Sequence, residues 1–453
     1  MDIRFLVPML VFVGGIYFLI RFKFFIGAFK KRKKIRYRDF FGGFSSFALA
    51  LSGTLGVGNI FGVATAIIIG GVGSVFWILI SAIFSAVIKY AEVSVSVSYN
   101  SADGMVSVIR ESFCKLGGVI SKLYAALALA LAFIMGISLQ GGSVVATASL
   151  AFGTPSLITA LVVSFAVFFV IVGEKKKIKD FTSVILPLTT IIYIIMAICI
   201  ISANFSRSPE VVSLRIKDAF SPAGAVGGVL GFVTSSRIRE GFCCGILSNE
   251  AGAGTSSFAH TSGGNFGALG GALEVVFDTL VLCMLSAFAM LLSVPDIYAY
   301  ESGAELVLSA FYSVLGGGGI GALLFVVSAF AVCTIVCWYY YADVCIRVLF
   351  VRDKVGALTP ITVTCIFLGA FLNTDTLAVI SHYLLLFLSV ISLITLIKNS
   401  DRVVNAALPE RCVIKEVESL KVSHRQGKQS RRKALEFLPR KDLPIRTKAP
   451  PRE

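Results

Sequence analysis

Apolar runs long enough to cross a bilayer follow one another along almost the whole chain, separated by short polar or basic stretches. A spanning helix takes about 20 apolar residues. Roughly eleven such segments can be laid out, at about residues 5–20, 44–69, 75–97, 120–150, 156–172, 184–202, 241–262, 269–292, 320–342, 358–372 and 377–397. Between the sixth and seventh, residues 219–236 are glycine-rich and weakly apolar and predict a short or re-entrant helix. Residues 296–315 predict an amphipathic lid on the same side of the membrane.

Two of these segments are interrupted by polar, glycine-punctured stretches. The first is Ser52-Gly53-Thr54-Leu55-Gly56-Val57-Gly58-Asn59, in the second segment; the other is Ser248-Asn249-Glu250-Ala251-Gly252-Ala253-Gly254-Thr255, in the seventh. A continuous helix satisfies its own backbone in lipid, and glycine weakens it. Broken backbone is tolerated at membrane depth where it lines a cavity, and paired breaks in two halves of a chain point to a transporter binding site near the midplane.

Charge sets the orientation. Residues 21–38 hold nine Lys/Arg and no acid, residues 174–179 are basic again, and so is everything after residue 398. Cytoplasmic loops carry the excess of Lys and Arg, so these stretches share the cytoplasmic side, with the N-terminus outside and the C-terminus inside. Segments two and seven then cross in opposite directions. That is the signature of a five-plus-five inverted repeat with one extra N-terminal helix. The plan is residues 1–20 as the extra helix, 21–40 as a basic cytoplasmic loop, 41–397 as the core with halves at about 41–203 and 221–397, and 398–453 as a disordered basic tail along the membrane surface.

Composition agrees. With 56% hydrophobic and 15% charged residues and a mean hydropathy of +0.87, the chain reads as an all-α polytopic protein of the plasma membrane. The pI of 9.4 comes from the loop and tail, neither of which interleaves aromatics as a nucleic-acid reader does. The ten cysteines are scattered and read as small buried hydrophobes. The vicinal pair Cys243-Cys244 has no His/Cys ligand set beside it. No nucleophile–base pair or metal set suggests an enzyme, and no cofactor is expected.

A pair of breaks can hold an amino-acid zwitterion without catalytic groups. The N-terminus of a half-helix offers free N–H groups to a carboxylate, while the opposing C-terminus offers carbonyls to an ammonium or a sodium ion. At this point residues 51–66, Leu-Ser-Gly-Thr-Leu-Gly-Val-Gly-Asn-Ile-Phe-Gly-Val-Ala-Thr-Ala, and residues 245–254, Gly-Ile-Leu-Ser-Asn-Glu-Ala-Gly-Ala-Gly, resemble the signatures of the alanine or glycine:cation symporter family. Lys89-Tyr90-Ala91-Glu92, Asp278-Thr279 and Trp338-Tyr339-Tyr340-Tyr341 add weaker likeness, and the order holds over about residues 38–397.

The resemblance implies a leucine-transporter-type fold and sodium-coupled uptake of alanine or glycine; L- and D-alanine fit equally. It implies that the substrate carboxylate meets main-chain N–H groups near Val57 and Gly58, with Gly56 allowing close approach, and that Gln140 faces the substrate. Leu247, Ser248 and Asn249 would receive the ammonium, and Trp338 would close the pocket. The Thr54 carbonyl and Asn59 side chain would hold a first sodium. Ser52, Leu55 and Phe330 carbonyls with the Thr334 side chain would hold a second, an all-oxygen set suited to a hard cation. The chain departs from the family pattern at Val57, where threonine is usual, at Cys333, where a hydroxyl is usual, at Cys337, where glycine is usual, and at Gly141-Gly142, where an asparagine tends to follow the glutamine by two positions. A thiol is a poor sodium ligand.

Charged residues inside segments are functional candidates, because burying an unpaired charge is costly. Glu250 reads either as a structural carboxylate of the second break or as a cation or proton site. Lys89 and Glu92 share a helix face at a spacing that lets them pair. Glu274 and Asp278, four apart with like charge, need a partner or a proton. Together Lys89, Glu92, Glu250 and Asp278 form an expected gating or charge network. His260 reads as a solvent-facing cap or cytoplasmic gate, His382 stands alone, and Pro187 reads as a kink. The function expected is secondary-active symport; the rivals are a proton-coupled carrier of the same fold, a transport-inactive sensing relative, and a channel, against which the Trp338 plug argues.

Overall fold

The computed structural model describes residues 6–23, 37–99, 101–173, 175–220, 235–260, 267–350 and 356–407. Most of the re-entrant segment expected at 219–236, most of the 21–40 loop and the tail beyond 407 lie outside the described residues. Among the described residues there is no strand. Six helices are long and apolar enough to cross a membrane, and a seventh span is the bent pair Gly43–Thr54 and Val57–Gly70, which meet at 62°.

The first half contains α1 (Leu6–Lys23), α2 (Tyr37–Thr54), α3 (Phe61–Gly70), α4 (Ser74–Ser98), α5 (Met105–Ser112), α6 (Gly117–Leu131), α7 (Gln140–Phe152), α8 (Ser156–Ile171) and α9 (Lys175–Ala203). The second contains α10 (Ser208–Ala219), α11 (Ser236–Asn249), α12 (Ser257–His260), α13 (Gly267–Val275), α14 (Met284–Ser293), α15 (Gly303–Leu349), α16 (Leu358–Gly369), α17 (Thr374–Lys398) and α18 (Ser400–Ala407).

Several boundaries differ from the sequence expectation. The basic 174–179 stretch is helical from Lys175, and Lys177 Nζ donates back to Phe169 O in the last turn of α8 at 2.6 Å. Helix α2 starts at Tyr37, inside the expected loop, and α18 extends order into the expected tail. The lid and the ninth segment run into one another as α15, bent at Gly316, whose φ of 62° and ψ of −161° no helix tolerates. Glycine reaches that conformation without a Cβ penalty.

Two spans carry π-helical stretches that periodicity did not reveal: Ala132–Leu139 joins α6 to α7, and Val276–Cys283 joins α13 to α14. Such bulges insert a residue into the ladder and are common at functional sites. The first ends against an intramembrane polar residue, Gln140, and the second contains one, Asp278.

Helix α4 is the centre of one layer, packed against α1, α11 and α13, while α15 lies against α7 and α9. Helices in lipid associate through close backbone approach at small residues. Gly241 and Gly245 of α11 sit on Ser74, Trp77 and Ser81 of α4, and Gly271 of α13 sits on Lys89 and Val93. Gly141 and Gly142, where the family pattern suggested an asparagine, pack against Ile366 and Gly369 of α16. They serve helix contact at that point.

Candidate functional site at the two helix breaks

The first break forms because the α2 ladder ends at Leu55, whose N–H bonds Leu51 O at 2.8 Å. Gly56 then turns to extended backbone and Val57–Asn59 makes a single 3₁₀ turn. Asn59 closes that turn by accepting from the Gly56 N–H at 3.1 Å. The Val57 N–H is taken by Gln140 Oε1 at 3.3 Å. A Cβ at Gly56 would lie 2.9 Å from that oxygen and 3.1 Å from Thr334 Oγ1, whereas one at Gly58 would meet nothing within 4 Å.

Helix α15 supports this break from the other side. Thr334 Oγ1 is 3.0 Å from Leu55 O and 2.9 Å from Phe330 O, so its one proton is shared between them. Trp338 Nε1 donates to Gly53 O at 3.2 Å, and its ring rests on Gly136 of the first π stretch. Trp338 is buried, with Tyr341 edge-on at 5.3 Å. Cys333 is buried on the same helix. The hydroxyls of Ser52 and Thr54 fold back onto Leu49 O and Leu51 O, at 2.7 and 3.2 Å.

At the second break α11 stops at Asn249. Glu250 follows with φ 55°, and Gly252 and Gly254 with φ 95° and 79°. Left-handed backbone at alternate sites is foreign to a helix, and glycine supplies it at two of the three. Asn249 is the local staple: its Oδ1 accepts from Ala251 N–H at 3.0 Å and its Nδ2 donates to Gly245 O at 2.5 Å, with Thr279 Oγ1 at 3.2 Å. Glu250 Oε2 accepts from Thr255 Oγ1 at 2.7 Å, closing the same loop. Leu247 is half-buried.

The two breaks meet at one carboxylate. Asp278, fully buried in the second π stretch, accepts from Asn59 Nδ2 at 2.7 Å, Ser248 Oγ at 2.7 Å and Thr279 Oγ1 at 2.9 Å. Cys283 Sγ is 3.4 Å from Asn59 Nδ2. Three donors from three elements converge on an acid with no basic side chain among them. The sequence marked Asp278 as charged and Asp278-Thr279 as a weak motif. It gave no sign that this acid joins Asn59 to Ser248, because the link depends on the π register.

The remaining charges are arranged differently from the expectation. Lys89 does not pair with Glu92. Its Nζ lies 3.2 Å from Glu274 Oε2 and also bonds Ser256, all buried. A residue on the neighbouring helix places its carboxylate on the ammonium better than one on the same helix three residues on. Glu274 also accepts from Ser256 Oγ at 2.8 Å and bonds His260 Nε2. His260 is therefore buried against Glu274 and is no solvent-facing cap. Glu92 turns to the second break, where its Oε1 accepts from Gly254 N–H at 3.0 Å. Glu274 and Asp278, expected to need a partner or a proton, have separate sets of partners. His382 Nδ1 bonds Ala378 O at 2.5 Å, one turn back in its own helix.

A cavity of about 670 Å³ opens between the end of α7, the start of α8 and the α16–α17 turn, lined by Ser149, Ser156, Asn373 and Asp375 among others. It touches neither break.

The chain matches the sodium:alanine symporter family over residues 2–409. It is 31% identical to a transporter of Haemophilus influenzae, over 78% of this chain and 81% of that protein. It is 29% identical to the sodium/proton-dependent alanine carrier protein of Bacillus sp. PS3, over 69% and 74%. It is 28% identical to the sodium/alanine symporter AgcS of Methanococcus maripaludis, over 68% and 70%. Several long apolar helices, two facing breaks and a match along nine-tenths of the sequence place it together: this chain is a multi-pass membrane protein belonging to the sodium:alanine symporter family.

Proposed function

We propose that the protein is a secondary-active symporter that carries a small neutral amino acid, alanine or glycine, together with sodium across the membrane by alternating access. The observation that carries this reading is the meeting of both breaks at buried Asp278. An acid held by three donors and no base has charge to spare for a monovalent cation. Asp278 with the Asn59 side chain and the Thr54 carbonyl forms the first sodium site. The carbonyls of Ser52, Leu55 and Phe330 with Thr334 form the second, and the convergence of Thr334 on Leu55 O and Phe330 O supports it.

The substrate carboxylate takes the Val57 and Gly58 N–H groups, displacing Gln140 Oε1 from Val57. Gln140 then turns its amide donor to the same carboxylate. The ammonium goes to the carbonyls of Leu247 and Ser248 and the Asn249 side chain. Gly56 lets the substrate approach the main chain, and Trp338 seals the pocket over a small side chain. Sodium and substrate stabilise one another's binding, a reciprocal coupling, and sodium running downhill drives uptake. The core is a five-plus-five inverted repeat of ten spans after one extra helix, with the N-terminus outside and the C-terminus in the cytoplasm. No cofactor takes part.

Proton coupling is the second reading, favoured by Cys333 standing beside Thr334 in place of a hydroxyl. Uptake of labelled alanine and glycine into proteoliposomes under an imposed sodium or proton gradient separates the two. Accumulation driven by sodium alone supports the symport described; accumulation driven only by protons replaces sodium. No uptake of either amino acid under either gradient overturns both readings and leaves a sensing relative.

A further inference from the structure

The proposed transport cycle makes no use of the buried charges behind the second break. Lys89 and Glu92 come from α4, Glu274 from α13, His260 from α12 and Glu250 from the break itself, and all are at most 3% exposed. If every acid were ionised, three carboxylates would face one ammonium. Bare buried charge is costly; the surplus is two charges, and at least one acid is neutral.

Glu274 is not that group. Lys89, Ser256 and His260 all bond it, which makes a self-contained ion pair. Glu92 stands apart. Its Oε1 accepts from Gly254, the Gly252 amide faces the same carboxyl, and among the described residues its Oε2 has no hydrogen-bond partner. Lys89 spends its bonds on Glu274 and Ser256. Tyr124 of α6, the other titratable group facing Glu92, donates its hydroxyl to Ala253 O at 2.6 Å. Asp278 lies one helical turn beyond Glu274 and is bonded to Asn59, Ser248 and Thr279. Along α1 and α18 the charges gather at the far end of α4, where Arg402 stacks on Tyr99 and Arg21 pairs with Asp401. On α11 they lie in its first turns, at Arg237, Arg239 and Glu240. A metal cation needs several oxygens around it, whereas Oε2 has no hydrogen-bond partner among the described residues. A proton needs none.

The geometry points to Glu92 as a proton-binding site, loaded while residues 250–260 are folded as seen here and emptied when they move. The inference rests on the transport reading for its consequence. The carboxyl gains or loses one proton, exchanged with water on whichever side the break opens. Movement of Gly254 removes the N–H from Oε1 and exposes the acid, so each working of the break becomes linked to proton release.

The test has two arms. Infrared difference spectra of the purified full-length protein, taken without substrate across a pH titration, detect the carbonyl stretch of a protonated carboxyl. Glutamate labelled with ¹³C shifts that band, and the shift identifies a glutamic acid in the wild type even if a variant fails to fold. The band is expected in the wild type, lost in Glu92→Gln and retained in Glu250→Gln. No glutamic-acid band in the wild type, or a band that survives in Glu92→Gln, overturns the assignment. The second arm is sodium-driven alanine uptake. Above the titration midpoint, wild-type rates are expected to fall about tenfold per pH unit, as for one titrating proton, while Glu92→Gln is flat. A wild-type pH profile retained in that variant also overturns the proposal. If alanine is not carried at all, the transport reading fails in the second arm while the spectra still decide where the proton sits.

Discussion

Replacing Asp278 by Asn keeps the shape of the side chain and removes its charge. In the wild type the carboxylate accepts from Asn59, Ser248 and Thr279 and is fully buried. The amide offers one acceptor oxygen in place of two and sets an N–H₂ against one of the three donors, a mismatch worth about 1–3 kcal/mol. The electrostatic loss is larger. A cation about 4 Å from a carboxylate gains about 4 kcal/mol at an effective dielectric near 20, which is roughly a thousandfold in affinity. Two assays read these effects separately. The melting temperature of the purified variant without sodium reports the hydrogen-bond loss, offset by the relief of a bare buried charge. The sodium concentration that half-maximally raises the melting temperature, or half-maximally drives alanine uptake, reports the charge. The expected result is a modest drop in stability with a rise in that sodium concentration beyond the accessible range. A variant that melts lower but responds to sodium as the wild type does would refute the placement of the cation at Asp278.

Further outcomes are expected at four other positions. Asn249→Ala removes the staple between Gly245, Ala251 and Thr279 and should abolish uptake while the protein still reaches the membrane, checked by surface labelling beside transport. Val57→Thr should change the ratio of alanine to glycine uptake without changing the melting temperature, and an unchanged ratio would mean that position 57 does not face the ligand. Gly136→Ala places a methyl against the Trp338 ring; overpacking of this kind costs about 1–3 kcal/mol and should lower both the melting temperature and the uptake rate. Lys89→Met strands Glu274 without its ammonium and should cost about 3–5 kcal/mol, read as a loss of folded protein on mild heating that Lys89→Arg partly restores.

Much of the architecture was legible because its causes are local. Apolar runs and basic loops follow directly from the cost of placing polar groups in lipid. Glycines with a short polar run between them announced both breaks, and the structure interrupts the chain at Thr54–Gly56 and at Glu250–Gly254. What the chain did not disclose depends on register between distant helices. Lys89 and Glu92 have the spacing of a pair, yet the partner is Glu274, which a helix on the adjacent face supplies at 3.2 Å. His260 looked like a terminal cap and is buried because α12 packs against α2, α4 and α13. The π stretches left no mark in the hydrophobic pattern, since one extra residue in a uniformly apolar span changes no period that can be counted. They are what direct Gln140 to Val57 and Asp278 to Asn59.

Those two spare residues have a mechanical meaning. One residue turns an α-helix by about 100°, so a widened turn acts like a ruck in a carpet: moved along by a step, it swivels the rungs it passes without unwinding the rod. Leu139 and Asp278 lie within such rucks, and Gln140 stands at the edge of one. Trimming a single residue from 132–139 would smooth the ruck and leave nothing to move along, so that Gln140 would lose this way of turning with every neighbouring side chain unaltered. Length, as much as the identity of any residue, keeps these two spans aimed at the centre.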